Sequence, residues 1–245
     1  MDNLYDAHPI TLIVVTAAIL VTPIYLFWAL TFSGKPTAAA IRLSVAWLVL
    51  GALMTWVCLA GVPDGLGAPG QLVVPTLWFV PSLLLVLTPA GRTLAAGLDQ
   101  RWLVGLQIWR VIGGVFLIEM ARGNLAGAFA YPAGIGDVLV GIVALGVLVR
   151  YRKAERIPRG AILVVAALGL ADFATAFFFG FTTAPEPIQL FGADAPHHVT
   201  QYPTGLIPFL LVPYAIFFHT LSLLALRAER PAPGSAEVAE RAVQG

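Results

Sequence analysis

Hydrophobic residues along this chain form seven long runs, separated by short segments that hold most of the charged residues. A helix needs about 20 apolar residues to cross the hydrocarbon core of a membrane, and each run is long enough. The runs lack the period-two alternation of strands in an outer-membrane barrel. The pattern therefore predicts seven membrane-spanning helices, at residues 10–32, 39–61, 71–89, 102–121, 129–149, 160–181 and 205–226.

The predicted fold class is an all-α integral membrane bundle of seven transmembrane helices. In lipid, every backbone hydrogen-bonding group must be satisfied within the protein, and helices do so within one segment. We expect the transmembrane domain to occupy residues 1–227. The tail that follows, residues 228–245, is rich in Ala, Pro and Glu and is expected to be disordered in the cytoplasm.

Positive charges between the predicted helices indicate how the bundle is oriented. Cytoplasmic loops of membrane proteins are enriched in Lys and Arg. Of the 14 basic residues, twelve fall in segments at one end of the bundle, Arg122 falls at the other end, and Arg110 lies within a helix. This asymmetry predicts an N-terminus outside the membrane and a C-terminus in the cytoplasm.

Composition changes this picture only by exclusion. Hydrophobic residues make up 59% of the 245 and charged residues 11%, which excludes a soluble globular enzyme. The same fractions exclude a nucleic-acid binder of the usual basic kind, and the net charge of +1 by itself says nothing about partners. We expect the lipid bilayer as partner, with a small solute or cation as a candidate ligand, and the oligomeric state stays open. The twelve Arg to two Lys favour a GC-rich bacterial genome, and the bacterial cytoplasmic membrane is the expected location.

Three charged residues within the predicted helices stand out because an ionisable side chain is costly near the bilayer centre. Counting about 1.5 Å per residue from the predicted outer end places Arg110 about 16 Å deep, Asp137 about 12 Å and Asp172 about 14 Å. An arginine fork can bind two carboxylates. The shared depth predicts a cluster in which Arg110 pairs with Asp137, Asp172 or both.

Each aspartate lies between small residues, in the patterns Gly134-x-x-Asp137-x-x-x-Gly141 and Gly169-x-x-Asp172-x-x-x-Ala176. Positions three before and four after a residue share its helix face, and small residues let another helix approach closely. The fifth and sixth helices are therefore expected to pack on these faces. Two acids sharing one cation would leave a surplus negative charge. Three alternatives stay open: a proton or cation site, a structural ion pair, or no contact between the charges.

Two polar residues are expected one turn deeper, Gln107 on the face of Arg110 and His219 on the last helix. A histidine there serves as a proton relay, as a metal or haem ligand, or as a packing residue. The other histidines lie in outer segments, so a haem is not expected and no cofactor is predicted. Prolines at 203, 208 and 213 make the last helix the expected moving or cavity-lining element.

Two further groups are predicted near the outer surface. Glu119 and Arg122, spaced i and i+3, are expected to pair with each other. His197 and His198 in the longest outer loop are weak candidates for a metal site, because adjacent histidines need a third ligand to hold an ion.

Four segments, QIWRVIGGVFL, FAYPAGIGDVLVG, GLADFATAFFFG and YPTGLIPFLLVPYAIFFH, resemble a pattern found in uncharacterised bacterial multi-pass membrane proteins. The resemblance covers the fourth to seventh predicted helices. It implies the multi-helix fold and carries no function with it.

Transport or conduction of a proton, cation or small solute is the leading functional hypothesis, with Arg110, Asp137, Asp172, Gln107 and His219 as site residues. An intramembrane enzyme acting on a lipidic substrate is the alternative, but no nucleophile or metal set supports it. A third hypothesis is an assembly or sensory subunit in which the charges only pack helices.

Overall fold

The computed structural model describes residues 5–185, 189–192 and 196–228. Across these residues the chain is helical apart from short connections and one isolated bridge between Leu125 and His197. The all-α prediction is therefore confirmed for the described residues. The predicted disordered tail falls, from residue 229 onward, outside the described residues.

Apolar runs and capping residues set the helix bounds. Asp99, for example, begins one helix by accepting a hydrogen bond from the backbone amide of Arg101. The α-helices are α1 (Pro9–Phe32), α2 (Thr37–Leu59), α3 (Val62–Gly65), α4 (Gly67–Leu87), α5 (Pro89–Ala95), α6 (Gln100–Leu106), α7 (Val115–Ala121), α8 (Gly127–Arg150), α9 (Arg159–Thr183) and α10 (Val212–Ala228). A 3₁₀ segment, Gln107–Gly114, joins α6 to α7, and a π-helical segment, Ile207–Leu211, precedes α10.

Six described helical stretches are long and apolar enough to cross a membrane: α1, α2, Gln100–Ala121, α8, α9 and Ile207–Ala228. They agree with six of the seven predicted crossings to within a few residues. The predicted crossing at 71–89 corresponds to α4, and several side chains of that helix lie outside the described residues. The seventh crossing stays a prediction.

Large apolar side chains cover the outside of the bundle. Ile13 is 66% exposed, Leu77 73% and Phe178 54%. A soluble monomer rarely exposes extensive apolar patches, whereas lipid covers them favourably. Together with the six apolar helices, this surface identifies a multi-pass membrane protein. The type of membrane stays a prediction.

The last helix lies at the centre of the bundle. It contacts α4, α5, α6 and α9, and 72% of the apolar stretch in Ile207–Ala228 is buried, against 22% in α2. α8 packs between the 3₁₀ segment and α9, and α1 pairs with α2. The fourth, fifth and sixth predicted helices are therefore brought together through α8, while α10 contacts the fourth and sixth.

Contacts between connecting segments define two ends of the bundle. At what we call the N-terminal face, Tyr5 donates to Thr204 over 3.2 Å, and Thr200 donates to Asp64. At the opposite, C-terminal face, Lys35 donates to the carbonyl of Ala96 over 2.8 Å. The prediction that the N-terminal face is the outer one is not tested by these contacts.

Candidate functional site

The stretch from Gln100 to Ala121 changes its winding in the middle, where Gln107–Gly114 is a 3₁₀ helix. Such a helix has three residues per turn, so residues three apart lie directly above one another. The buried residues of this segment are Gln107, Arg110 and Gly113, which therefore share one face. This face points into the bundle toward α8 and α9.

Arg110 bonds to both aspartates. Its Nε donates to Oδ1 of Asp137 over 2.7 Å, and its Nη2 donates to Oδ2 of Asp172. Its Nη1 donates to the carbonyl of Gly169 over 3.1 Å, and its Cζ lies 3.7 Å from the ring centroid of Phe173. The structure therefore brings the three predicted charges together, with Arg110 shared between the two carboxylates.

The cluster is buried, and it contains more negative than positive groups. The side chain of Arg110 is 1% exposed, that of Asp137 10% and that of Asp172 8%. With all three groups ionised, two carboxylates face one guanidinium, and the trio carries one excess negative charge. Electrostatic interactions are strong in such a weakly polarisable setting, so a proton or a bound cation is the natural partner for that excess.

Three glycines make room for these charged groups. A Cβ on Gly113 would overlap the carboxylate of Asp137, and a Cβ on Gly136 would overlap that of Asp172. A Cβ on Gly169 would lie 2.8 Å from Nη1 of Arg110 and closer still to Nε2 of His219. The positions of the charges therefore depend on the absence of three side chains.

The helix contact expected for the small residues around Asp137 is wrong, whereas Asp172 does lie where α9 contacts α8. A Cβ on Gly134 would lie 2.9 Å from Leu117, and one on Gly141 would lie 2.8 Å from Val111, so this face of α8 meets the fourth predicted helix instead of α9. The two glycines leave room for the backbone of Gln107–Gly114, because their Cβ atoms would lie 3.3 Å and 3.0 Å from its carbonyl oxygens. α9 instead meets α8 at Gly136, the residue before Asp137.

Gln107 and His219 are enclosed but lack hydrogen-bond partners. They are 1% and 2% exposed. Neither polar atom of the Gln107 side chain, nor Nε2 of His219, has a partner within the described part of the chain. Buried polar atoms are usually paired with protein or ordered water. Nε2 of His219 lies beside the guanidinium, because a Cβ on Gly169 would approach both groups.

Polar side chains continue from there toward the C-terminal face. Ser222, one turn beyond His219, donates to Oε1 of Gln100 over 2.6 Å, and Nε2 of Gln100 donates back to the Ser222 carbonyl over 3.0 Å. Gln100 also lines a cavity of about 450 Å³ at the C-terminal face. Sequence reasoning missed this pair, although Gln100 and Gln107 are spaced two helical turns apart.

A second cavity lies on the other side of the cluster and reaches Asp137. It is lined mainly by aromatic and aliphatic side chains from α7, α8, α9 and the π-helical segment, and it encloses about 50 Å³. Its lining residues are Phe116, Phe129, Asp137, Phe173, Ala176, Phe177, Gly180, Phe181, Val199, Thr200, Ile207, Pro208, Phe209 and Val212. One carboxylate of the cluster therefore faces a largely apolar cavity.

The predicted pair of Glu119 and Arg122 does not form. Glu119 is fully buried and accepts hydrogen bonds from the backbone amide of His8 over 2.9 Å and from Asn124 over 2.7 Å. Arg122 instead pairs with Asp6 over 2.8 Å. The helix ends at Ala121, so Arg122 turns outward while Glu119 points into the bundle. The acid ties the N-terminal segment to the bundle.

The loop histidines have separate surroundings. The ring of His198 stacks on Tyr5 with centroids 4.8 Å apart, whereas His197 forms the backbone bridge to Leu125. Burial lowers the pKa of His197 from 6.5 to about 4; Asp64 opposes this shift, and His198 adds to it. Among the described residues, no three His, Cys, Asp or Glu side chains are grouped as a metal site requires.

A family model of the domain of unknown function DUF8737 matches residues 68–227, well over half of the chain. The chain belongs to the DUF8737 family. The match includes every residue of the Arg110 cluster, together with Gln107 and His219, and agrees with the resemblance to an uncharacterised family. Neither a curated protein nor a solved structure matches the chain. The function of this DUF8737 protein must therefore be argued from its own residues.

Proposed function

We propose that this protein transports a proton or another small cation across the membrane, alone or together with a small solute. Asp137 and Asp172 are the groups that take up and release the ion, and Arg110 is their fixed counter-ion. Protonation or cation binding removes the excess negative charge of the trio. The site thereby alternates between two charge states.

A single observation carries this proposal: Arg110 is shared by two buried carboxylates, one of which lines a cavity. A purely structural ion pair needs only one acid for each arginine. A second acid adds a desolvation cost, and such costs in membrane helices are typical of ion and proton pathways. The cavity gives Asp137 a route for exchange that a fully enclosed pair would lack.

A cavity on one side of the cluster and polar side chains on the other side support alternating access. The phenylalanine-lined cavity lies on one side, and on the other side Gln107, His219 and the pair of Gln100 and Ser222 lead toward the C-terminal face. The π-helical segment Ile207–Leu211 forms part of the cavity wall. Because π-helical turns interrupt regular hydrogen bonding and often mark functional sites, this segment is the proposed moving element.

Flux through purified protein in liposomes tests the proposal. Vesicles with a trapped pH dye are given a potassium gradient and valinomycin, and proton uptake is followed with and without each candidate cation. Wild-type protein is expected to carry flux that Asp137→Asn and Asp172→Asn each reduce at least tenfold. Asp6→Asn, which changes an exposed acid, is the matched control and should leave flux unchanged. Equal flux in all four proteins would overturn the proposal.

A structural role for the cluster is the second candidate. Its support is that each guanidinium nitrogen of Arg110 already has an acceptor within the described residues. In that case the protein would be an assembly or sensory subunit whose charges only hold three helices together. Wild-type protein would then carry no flux, and neutral substitutes for all three charges would leave its assembly unchanged.

A further inference from the structure

We infer that the phenylalanine-lined cavity binds an organic amine, with its ammonium group at Asp137 and its apolar body among the phenylalanine rings. The inference deepens the proposed function, on which it rests, because it names the chemical class of the transported solute. It is carried by the shape, lining and charge of the cavity.

The cavity has a polar inner end and an apolar opening. Asp137 and Phe173 are buried at the inner end. Phe177, Phe181 and Pro208 are only partly buried and form the opening, between α9 and the π-helical segment. Exposed apolar side chains such as Phe178 continue on the outside of α9, so the opening faces the lipid. A ligand can therefore enter from the lipid, with its apolar part in contact with the side chains of the opening.

The enclosed space limits the group that reaches the acid. The cavity encloses about 50 Å³, which is several times the roughly 10–15 Å³ that one water molecule needs. A primary ammonium group with the first carbons attached to it fits such a space, and the bulkier part of the ligand remains at the opening. Quaternary ammonium ions, which carry four carbon substituents on the charged nitrogen, are expected to bind less well.

Charge and lining select an organic cation over an inorganic one. Asp137 and Thr200 are the two lining residues with polar side chains. Calcium requires six to eight oxygen ligands, and magnesium requires nearly ideal octahedral coordination. Phenylalanine rings instead attract a cation at their faces and provide contact area for an apolar body. A neutral or anionic ligand would not neutralise the excess negative charge of the Arg110 cluster.

Binding of benzylammonium to purified protein in lipid nanodiscs tests the inference, with benzyl alcohol as a neutral ligand of nearly the same shape. Titration calorimetry at pH 7.5 is expected to show at least tenfold tighter binding of the ammonium ion. Potassium up to the same concentration should not compete. Equal affinity for the two ligands, or full competition by potassium, would overturn the inference.

Two variants on α9 place the ligand in the cavity. Phe177→Ala removes a ring from the opening and is expected to weaken benzylammonium binding about tenfold. Phe178→Ala is the matched control, because its ring is 54% exposed and is absent from the cavity lining. A loss as large in Phe178→Ala would contradict the assignment.

Asp137→Asn on α8 tests the charge at the inner end of the cavity and should remove the preference for the charged ligand. The comparison of the two ligands in the wild-type protein remains valid even if that variant does not fold.

Failure of the inference can be separated from failure of the proposed function. If benzylammonium does not bind but an Asp137-dependent proton flux persists, the ligand class is wrong and the transport proposal stands. If benzylammonium binds with the expected preference but neither it nor protons cross the membrane, the site is correct and transport is wrong. Flux of radiolabelled benzylamine into the same liposomes provides the second measurement.

Discussion

Gly136 on α8 lies against Asp172 on α9 so closely that a methyl group on the glycine would overlap the carboxylate. Nη2 of Arg110 donates to the same carboxylate. Any side chain at position 136 must therefore displace Asp172, the α9 backbone, or both. The contact of Gly136 with Asp172 therefore determines both how closely α8 and α9 pack and where the carboxylate of the ion cluster lies.

Gly136→Ala is expected to reduce both thermal stability and flux, because overpacking of a close contact costs about 1–3 kcal/mol. Gly146→Ala on the same helix is the matched control, since a Cβ there would have nothing within 4 Å. Its melting temperature should be unchanged or slightly higher, because alanine favours a helix. Melting curves in detergent and liposome flux measure both effects. Equal losses in the two variants would contradict the packing argument.

Arg110→Met is expected to cost about 3–5 kcal/mol, because it leaves two carboxylates without their buried partner. The triple variant Arg110→Met, Asp137→Asn, Asp172→Asn removes all three charges and should recover much of that stability. Under the transport proposal it should carry no proton flux. Unfolding measured with a chemical denaturant in mild detergent separates the two variants. A triple variant as unstable as the single one would show that the charges are needed for folding.

Glu119→Ala is expected to destabilise the N-terminal face by about 1–3 kcal/mol, because the amide of His8 and the side chain of Asn124 lose a buried acceptor. Arg122→Ala breaks the pair with Asp6, whose side chain is 93% exposed, and should cost less than about 1 kcal/mol. Hydrogen exchange at residues 5–8 gives the local readout. Similar effects of the two substitutions would contradict the assignment of Glu119 as the anchor.

His197 is expected to make the protein less stable as the pH falls from 6.5 toward 4. Burial lowers the pKa of the folded-state imidazole to about 4, so the unfolded chain binds more protons within this window. The contribution of the neutral His197 imidazole to the free energy of unfolding is fully present above pH 6.5 and is lost below about pH 4.

Melting temperatures of wild type and His197→Gln between pH 8 and pH 4 measure this contribution. The difference between the two proteins should change with pH within the window and be constant above it. Asp64 and His198 act on the imidazole electrostatically and are retained in both proteins, so the comparison isolates His197. A difference that does not depend on pH would contradict the lowered pKa.

Much of the architecture could be predicted because lipid imposes a simple rule on sequence. A crossing helix must be long and continuously apolar, so its position can be read from local composition. The depth of a residue in the membrane follows from its distance to the end of such a run. Arg110, Asp137 and Asp172 could therefore be expected at one level. Whether α4 adds the seventh crossing still rests on the sequence pattern.

Rotation about each helix axis could not be predicted as well as depth. The spacing argument assumed an α-helix around Arg110, whereas Gln107–Gly114 is wound more tightly. The small-residue pattern around Asp137 indicated a close helix contact at Gly134 and Gly141, but it could not indicate which helix makes that contact. The buried role of Glu119 depends on His8, more than 100 residues earlier, and no local pattern indicates such a contact.

The 3₁₀ winding of Gln107–Gly114 has a consequence for motion. Rewinding these eight residues as an α-helix would shorten the segment by about 4 Å and rotate Arg110 by about 60° relative to Gln107. The guanidinium would then leave at least one of its carboxylates although α8 and α9 stay in place. A change in the winding of this segment can thus remove the counter-ion from a carboxylate without any movement of the helices that carry the acids.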